Sequence, residues 1–175
     1  MKPWYKRGRS ERSAYERYLG QPVLMAFAEG TALSYIMREL GLEDSVSDAR
    51  RLINQGRVRL RRSCDGFEDD VEETRRIFGH GIWTIVIGMR WWEFVVGGCE
   101  LEEMLDEYTY NIWSIWTIED HWKDWRMVRA ADSPLVGWLT EKLLEARQGG
   151  WPHPPLIRWW SGERPEEVAR GVGAA

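Results

Sequence analysis

The sequence predicts an α+β protein: a two-helix motif with a small antiparallel sheet, followed by a Trp-rich helical extension. Three observations carry this. From Thr31 to Gly56 apolar residues recur at steps of three and four. From Arg57 to Val96 the pattern changes to alternation and β-rich runs. From Glu100 helical spacing returns, now crowded with tryptophan.

Taken in order, Met1–Arg12 reads as a basic arm with Trp4 and Tyr5, free until a partner orders it. Ser13–Leu19 fits a helical turn or two ending at Gly20, and Val23–Ala28 is a short apolar run of open type. Thr31 is placed to cap a helix whose buried side is Leu33, Ile36, Met37 and Leu40, with Gly41 as its stop. Ser45 or Ser47 caps a second helix with Ala49, Leu52 and Ile53 inward, ending at Gly56. Arg57–Arg61 alternates charged and apolar residues, as a half-buried strand does. Ser63–Asp70 reads as an acidic loop and Val71–Phe78 as a short helix. Trp83–Ile87 and Trp91–Val96 form a hairpin around Gly88-Met89-Arg90, while Gly79-His80-Gly81 is a turn signal.

Beyond Gly97-Gly98, Glu100–Met127 reads as one long helix or two with a break near Asn111. Ser133-Pro134 opens a last helix, with Leu135, Trp138, Leu139, Leu143 and Leu144 on its apolar side and Gly149-Gly150 at its end. The tail is expected to lie extended over the body. The chain thus divides into a basic arm and short helix (1–30), a helix-pair-and-sheet module (31–98), a helical extension (99–150) and a Pro/Trp-rich tail (151–175).

Charge is distributed unevenly. Residues 1–62 hold 13 Lys/Arg against 7 Asp/Glu, and residues 63–175 hold 11 against 21, so only the front half suits a polyanion. Two cysteines, Cys64 and Cys99, are too few for a disulfide scaffold or a four-cysteine zinc site. No secretory leader is evident, and Arg90 and Glu93 interrupt the most apolar stretch, Ile82–Val96. These features suggest a soluble, cytoplasmic protein with no membrane partner.

The motif with most information is Leu40-Gly41-Leu42, then Ser45-Val46-Ser47-Asp48-Ala49-Arg50-Arg51-Leu52-Ile53, then Gln55-Gly56-Arg57-Val58. It resembles the helical core of the S-four RNA-binding module, named for a ribosomal protein and closest in flavour to the C-terminal tail of bacterial tyrosyl-tRNA synthetases. The run Ile85–Val96, with its Gly88-Met89-Arg90 turn, resembles that module's closing strands. Together the similar stretches span residues 31–96. Three positions depart from the family pattern: Val46 stands where a basic residue is frequent, the first helix opens Thr31-Ala32-Leu33, and Arg61-Arg62 replaces an Asn-Gly.

The resemblance implies a non-enzymatic RNA-binding accessory protein gripping structured RNA by a basic helix-turn edge. Family positions that contact RNA correspond to Ser47, Arg50, Arg51, Gln55 and Arg57, and the reversal at Gly56 brings Arg59 beside them. A Ser-capped helix start would add N–H groups facing a phosphate. The competing expectation is a solvated face in which Arg50 and Arg51 pair with Asp48 or Glu39.

Other chemistry is thin. His80, His121 and His153 are scattered, and no metal site or cofactor is expected. Carboxylates between Glu102 and Asp120 read as a solvated helix face, and no phosphate loop or nucleophile elbow is present. Twelve tryptophans are an outlier that reads first as core, but adjacent Trp159 and Trp160 cannot both point inward, which marks them as candidate partner-binding residues. A second expectation follows: a structural or interaction protein of a larger assembly, for example a virus particle, reusing the same fold.

Overall fold

Serine caps, glycine stops and one long hairpin set the elements of the computed structural model, which describes residues 4–62, 68–70, 76–97, 138, 141–142, 144–146, 148–150, 156–159, 167 and 170. A 3-10 turn at Trp4–Arg7 and strand β1 (Arg9–Ser10) precede α1 (Ala14–Leu19). Ser13 caps α1 by accepting from the Glu16 N–H at 3.2 Å, and Gly20 ends it at φ 65°. Then come β2 (Val23–Phe27), β3 (Thr31–Ala32), α2 (Leu33–Glu39) and α3 (Val46–Asn54). Strands β4 (Arg59–Arg62), β5 (Glu68–Asp70) and β6 (Arg76–Ile77) lead to the hairpin β7 (Gly81–Ile87) and β8 (Arg90–Val96). The last strand among the described residues is β9 (Leu156–Trp159).

The fold is mixed α+β, as expected, but the sheet is larger and less regular than a small antiparallel one. Seven strands run β5-β4-β7-β8-β2-β9, with β1 also against β8. The β5, β4, β7 and β8 neighbours are antiparallel, whereas β1 and β2 join β8, and β9 joins β2, in parallel. Strands β3 and β6 form a separate antiparallel pair.

Register fixes which side chains share a face. Trp83 and Ile85 of β7, Trp92, Phe94 and Val96 of β8, Phe27 and Met25 of β2, and Leu60 of β4 pack with Tyr15, α2 and α3 in one core. Phe27 meets Phe94 edge-to-face at 5.8 Å. The other face carries Leu24, Ala26, Ile82, Thr84, Val86 and Val95, and every one is buried too. Tyr5 lies on this side, edge-on to Trp91 at 5.9 Å, with the Arg61 guanidinium over its ring. Trp138 reaches it as well, donating its Nε1–H to Glu93 at 3.1 Å. A sheet covered on both sides explains why Ile82–Val86 is apolar almost without alternation.

Several local expectations are corrected. The N-terminal arm is docked: β1 pairs with β8, and a Cβ on Gly8 would collide with the Met89 carbonyl. Thr31 caps nothing. Its hydroxyl donates to the Ala28 carbonyl at 2.6 Å, and α2 starts two residues later, after Ala32, without a side-chain cap. The charged strand begins at Arg59 rather than Arg57, because Arg57 still closes the end of α3 by donating its N–H to the Leu52 carbonyl. Glu68–Asp70 and Arg76–Ile77, expected in a loop and a helix, are strands held by β4 and β3. The tail is extended at Leu156–Trp159, but as a sheet member.

The expected helix over Glu100–Met127 lies outside the described residues. Of the helix expected after Ser133-Pro134, Trp138, Lys142 and Glu145 are helical, and Gly149 donates to the Glu145 carbonyl at 2.9 Å before Gly150 turns at φ 77°; Glu167 and Arg170, expected in an extended tail, are helical too. Among the described residues no helix is long and apolar enough to cross a membrane.

Candidate nucleic-acid interface

The candidate face is made by α3 and the turn after it. Ser45, not Ser47, is the cap: its Oγ accepts the Asp48 N–H at 3.0 Å and donates to the Asp48 carboxylate at 2.7 Å. Ala49, Leu52 and Ile53 are buried, which turns Ser47, Arg50, Arg51 and Asn54 outward at steps of three and four. After Asn54 the chain reverses at Gly56, at φ 66°, where the Gly56 N–H returns to the Ile53 carbonyl at 2.9 Å. Val58 is buried and anchors the exit, leaving Gln55, Arg57 and Arg59 exposed. All six sequence-predicted residues therefore lie at the surface, Ser47, Arg50 and Arg51 on a nine-residue helix about 13 Å long and Gln55, Arg57 and Arg59 just after it.

Their electrostatics are unequal. Arg51 pairs with Asp48 at 2.7 Å, the arginine largely in solvent and the carboxylate half-buried. Such a pair is worth roughly 0.2–1 kcal/mol and is easily exchanged for another anion. Arg50 and Arg57 have no ion-pair partner among the described residues. Glu39 is no partner for either, because it is buried and takes Arg38 and the Tyr15 hydroxyl. The start of α3 is a poorer phosphate seat than its serine suggested. The Asp48 carboxylate and the Ser45 hydroxyl already occupy that end. The cationic part of the face is its C-terminal half.

Other arginines lie over aromatic rings. Arg61 stacks on Tyr5 at 5.1 Å, Arg62 on Trp83 at 5.6 Å and Arg90 on Trp92 at 5.0 Å. Arg90 and Arg9 also converge on the Glu11 carboxylate, at 3.0 and 2.6 Å. Burial works to raise that carboxyl, but the hydrogen bonds from Arg90 and Arg9 outweigh it and hold it below its ordinary value.

A cavity of about 340 Å³ lies elsewhere, between α1, β2, β8 and the last helix, lined by Glu11, Glu16, Glu93 and Glu145 together with Arg12 and Lys142. Its carboxylates repel phosphate. Burial lifts the Glu16 carboxyl above its ordinary 4.5, against the opposing pull of the Val23 N–H, Lys142 and Arg12. Ionised Glu16 therefore costs stability at neutral pH. Glu16→Gln is expected to be more stable than the parent above pH 4.5, the advantage vanishing as pH falls below that value and the parent's carboxyl is neutralised in both folded and unfolded chains. Urea unfolding across pH reads this directly.

Among the described residues no three side chains cluster as metal ligands. His80 lies 3.4 Å from Glu29, and Cys64 and Cys99 lie outside the described residues. Trp159 contributes its backbone to β9 beside Ala26, while its side chain and Trp160 lie outside the described residues. No protein-family model, curated protein or solved structure matches the chain. The sequence reading missed Phe78, exposed beside Arg76, because its only local signal is the glycine turn that follows.

Proposed function

We propose that this protein is a non-enzymatic RNA-binding accessory protein of the S-four type, using Arg50 and Arg57, with Ser47, Arg51, Gln55 and Arg59 around them, as its grip on structured RNA. The observation that supports this most is that Arg50 and Arg57 are exposed and without an ion-pair partner among the described residues, on the one helix-turn edge whose sequence resembles that module. Other arginines lie on aromatic rings, carboxylates or backbone carbonyls.

Filter binding of a structured RNA, titrated against salt, tests the reading. The parent is expected to bind with a steep salt dependence, and Arg50→Glu with Arg57→Glu to weaken binding about 10- to 100-fold while lowering the salt slope by about 2. Unchanged binding in the double variant would sink the proposal. Against the assembly-protein reading, the described strands of the terminal segments, β1 and β9, pair within this chain.

A further inference from the structure

Among the described residues three large apolar side chains are exposed, Tyr18, Phe78 and Met89, and Phe78 is the most exposed at 70%. It also stands on a braced loop. The Gly30 N–H donates to the Ile77 carbonyl at 2.7 Å, the Gly79 N–H to the Glu29 carboxylate at 3.1 Å, and Trp83 Nε1 to the Gly79 carbonyl at 3.2 Å. The ring rests against Gly30, at φ 81°, where a Cβ would come within 3.1 Å of its edge. Cations flank it. Arg76 Nη1 donates to the Gly30 carbonyl at 2.8 Å, and a Cβ on Gly79 would lie 2.9 Å from Arg62 Nη1. His80 follows, facing Glu29, whose carboxylate also holds the Gly79 N–H.

Holding an apolar ring in water costs ordering entropy with no burial in return. A flat ring on a fixed loop with guanidinium groups beside it has the chemistry of a base-stacking platform with phosphate contacts. Strand β4 ties it to the basic edge: Arg57 and Arg62 are five residues apart, at most about 17 Å of extended chain. We infer that Phe78 stacks on an unpaired nucleotide next to the structured part of a bound RNA, with Arg76 and Arg62 beside the flanking phosphates. This deepens the RNA-binding reading and rests on it.

The test is fluorescence anisotropy with two probes, a blunt RNA hairpin and the same hairpin carrying a short unpaired oligouridine extension, at one salt concentration. The parent is expected to bind the extended probe more tightly. Phe78→Ala should lose that difference, about 5- to 100-fold, with blunt-hairpin binding unchanged, and Phe78→Trp should keep it. If the parent binds both probes and Phe78→Ala changes neither, the stacking inference is overturned while the basic edge stands. The inference also falls if Phe78→Ala alters only sedimentation, which would assign the ring to a protein contact. If the parent binds neither probe, both readings fall.

Discussion

Phe94→Ala is expected to lower the unfolding free energy by about 3–5 kcal/mol. Phe94 is fully buried on the helix-covered face of the sheet, edge-on to Phe27 and level with Trp83 across the hairpin. Truncation removes both the transfer gain of the ring and its contact with Phe27, and neighbours on a pinned sheet collapse only partly into the space. Phe94→Leu keeps most of the volume and should lose less. The midpoint of urea unfolding gives the answer, and a Phe94→Ala chain as stable as the parent would refute this account of the core.

The second large effect concerns the opposite face. Glu93 accepts the Trp138 Nε1–H at 3.1 Å and meets Lys142 Nζ at 2.9 Å, and so holds the last helix on the sheet. Glu93→Ala leaves a largely buried ammonium and an indole N–H without this partner, a loss of about 3 kcal/mol. Replacing both ends with apolar residues, Glu93→Leu with Lys142→Met, should recover much of it, because no charge is then stranded. Burial works to lower the Lys142 value, but the Glu93 and Glu145 carboxylates outweigh it, so the folded value lies above the ordinary 10.5. The pair's contribution is complete below pH 10.5 and is lost as pH climbs through the folded value. Unfolding curves for the parent should therefore fall at alkaline pH more steeply than those for the double variant.

Legibility in the sequence followed the range of the interactions. The α3 helix, its stop at Gly56 and the hairpin around Gly88 depend on residues within a few positions of one another, and their patterns appear in the chain. Thr31 misleads because its hydroxyl has two local uses, and closing the turn to Ala28 excludes capping α2. Glu68–Asp70 has little intrinsic tendency to form a strand. Its structure comes from β4, whose Arg59 and Arg61 stand opposite Asp70 and Glu68 in register. Val23–Phe27 has apolar character in the sequence, but its partners are Ala26 to Val95 on one side and Val23 to Leu156 on the other, too distant for periodicity to reveal.

The same distinction governs the site. Exposure of Ser47, Arg50 and Arg51 follows from the apolar stripe at Ala49, Leu52 and Ile53, so the face can be read residue by residue. The bias of that face towards its C-terminal half could not be read, since it turns on whether Ser45 or Ser47 takes the cap. Nor could the prominence of Phe78. That depends on Glu29, about fifty positions earlier, holding the loop from which the ring projects.

Strand β2 has a consequence for synthesis. It pairs with β9 from Val23 to Ala26, so these residues find their hydrogen-bond partners on that edge only once Leu156–Trp159, more than a hundred positions later, has emerged. Until then the β2 edge is a row of open amides and carbonyls in a wholly apolar strand, the kind of edge that recruits a neighbouring chain. The nascent protein is therefore exposed to aggregation until β9 has emerged. A chain released before β9 is made should be far less soluble than one that includes it, even though α1, α2, α3 and the hairpin are already present.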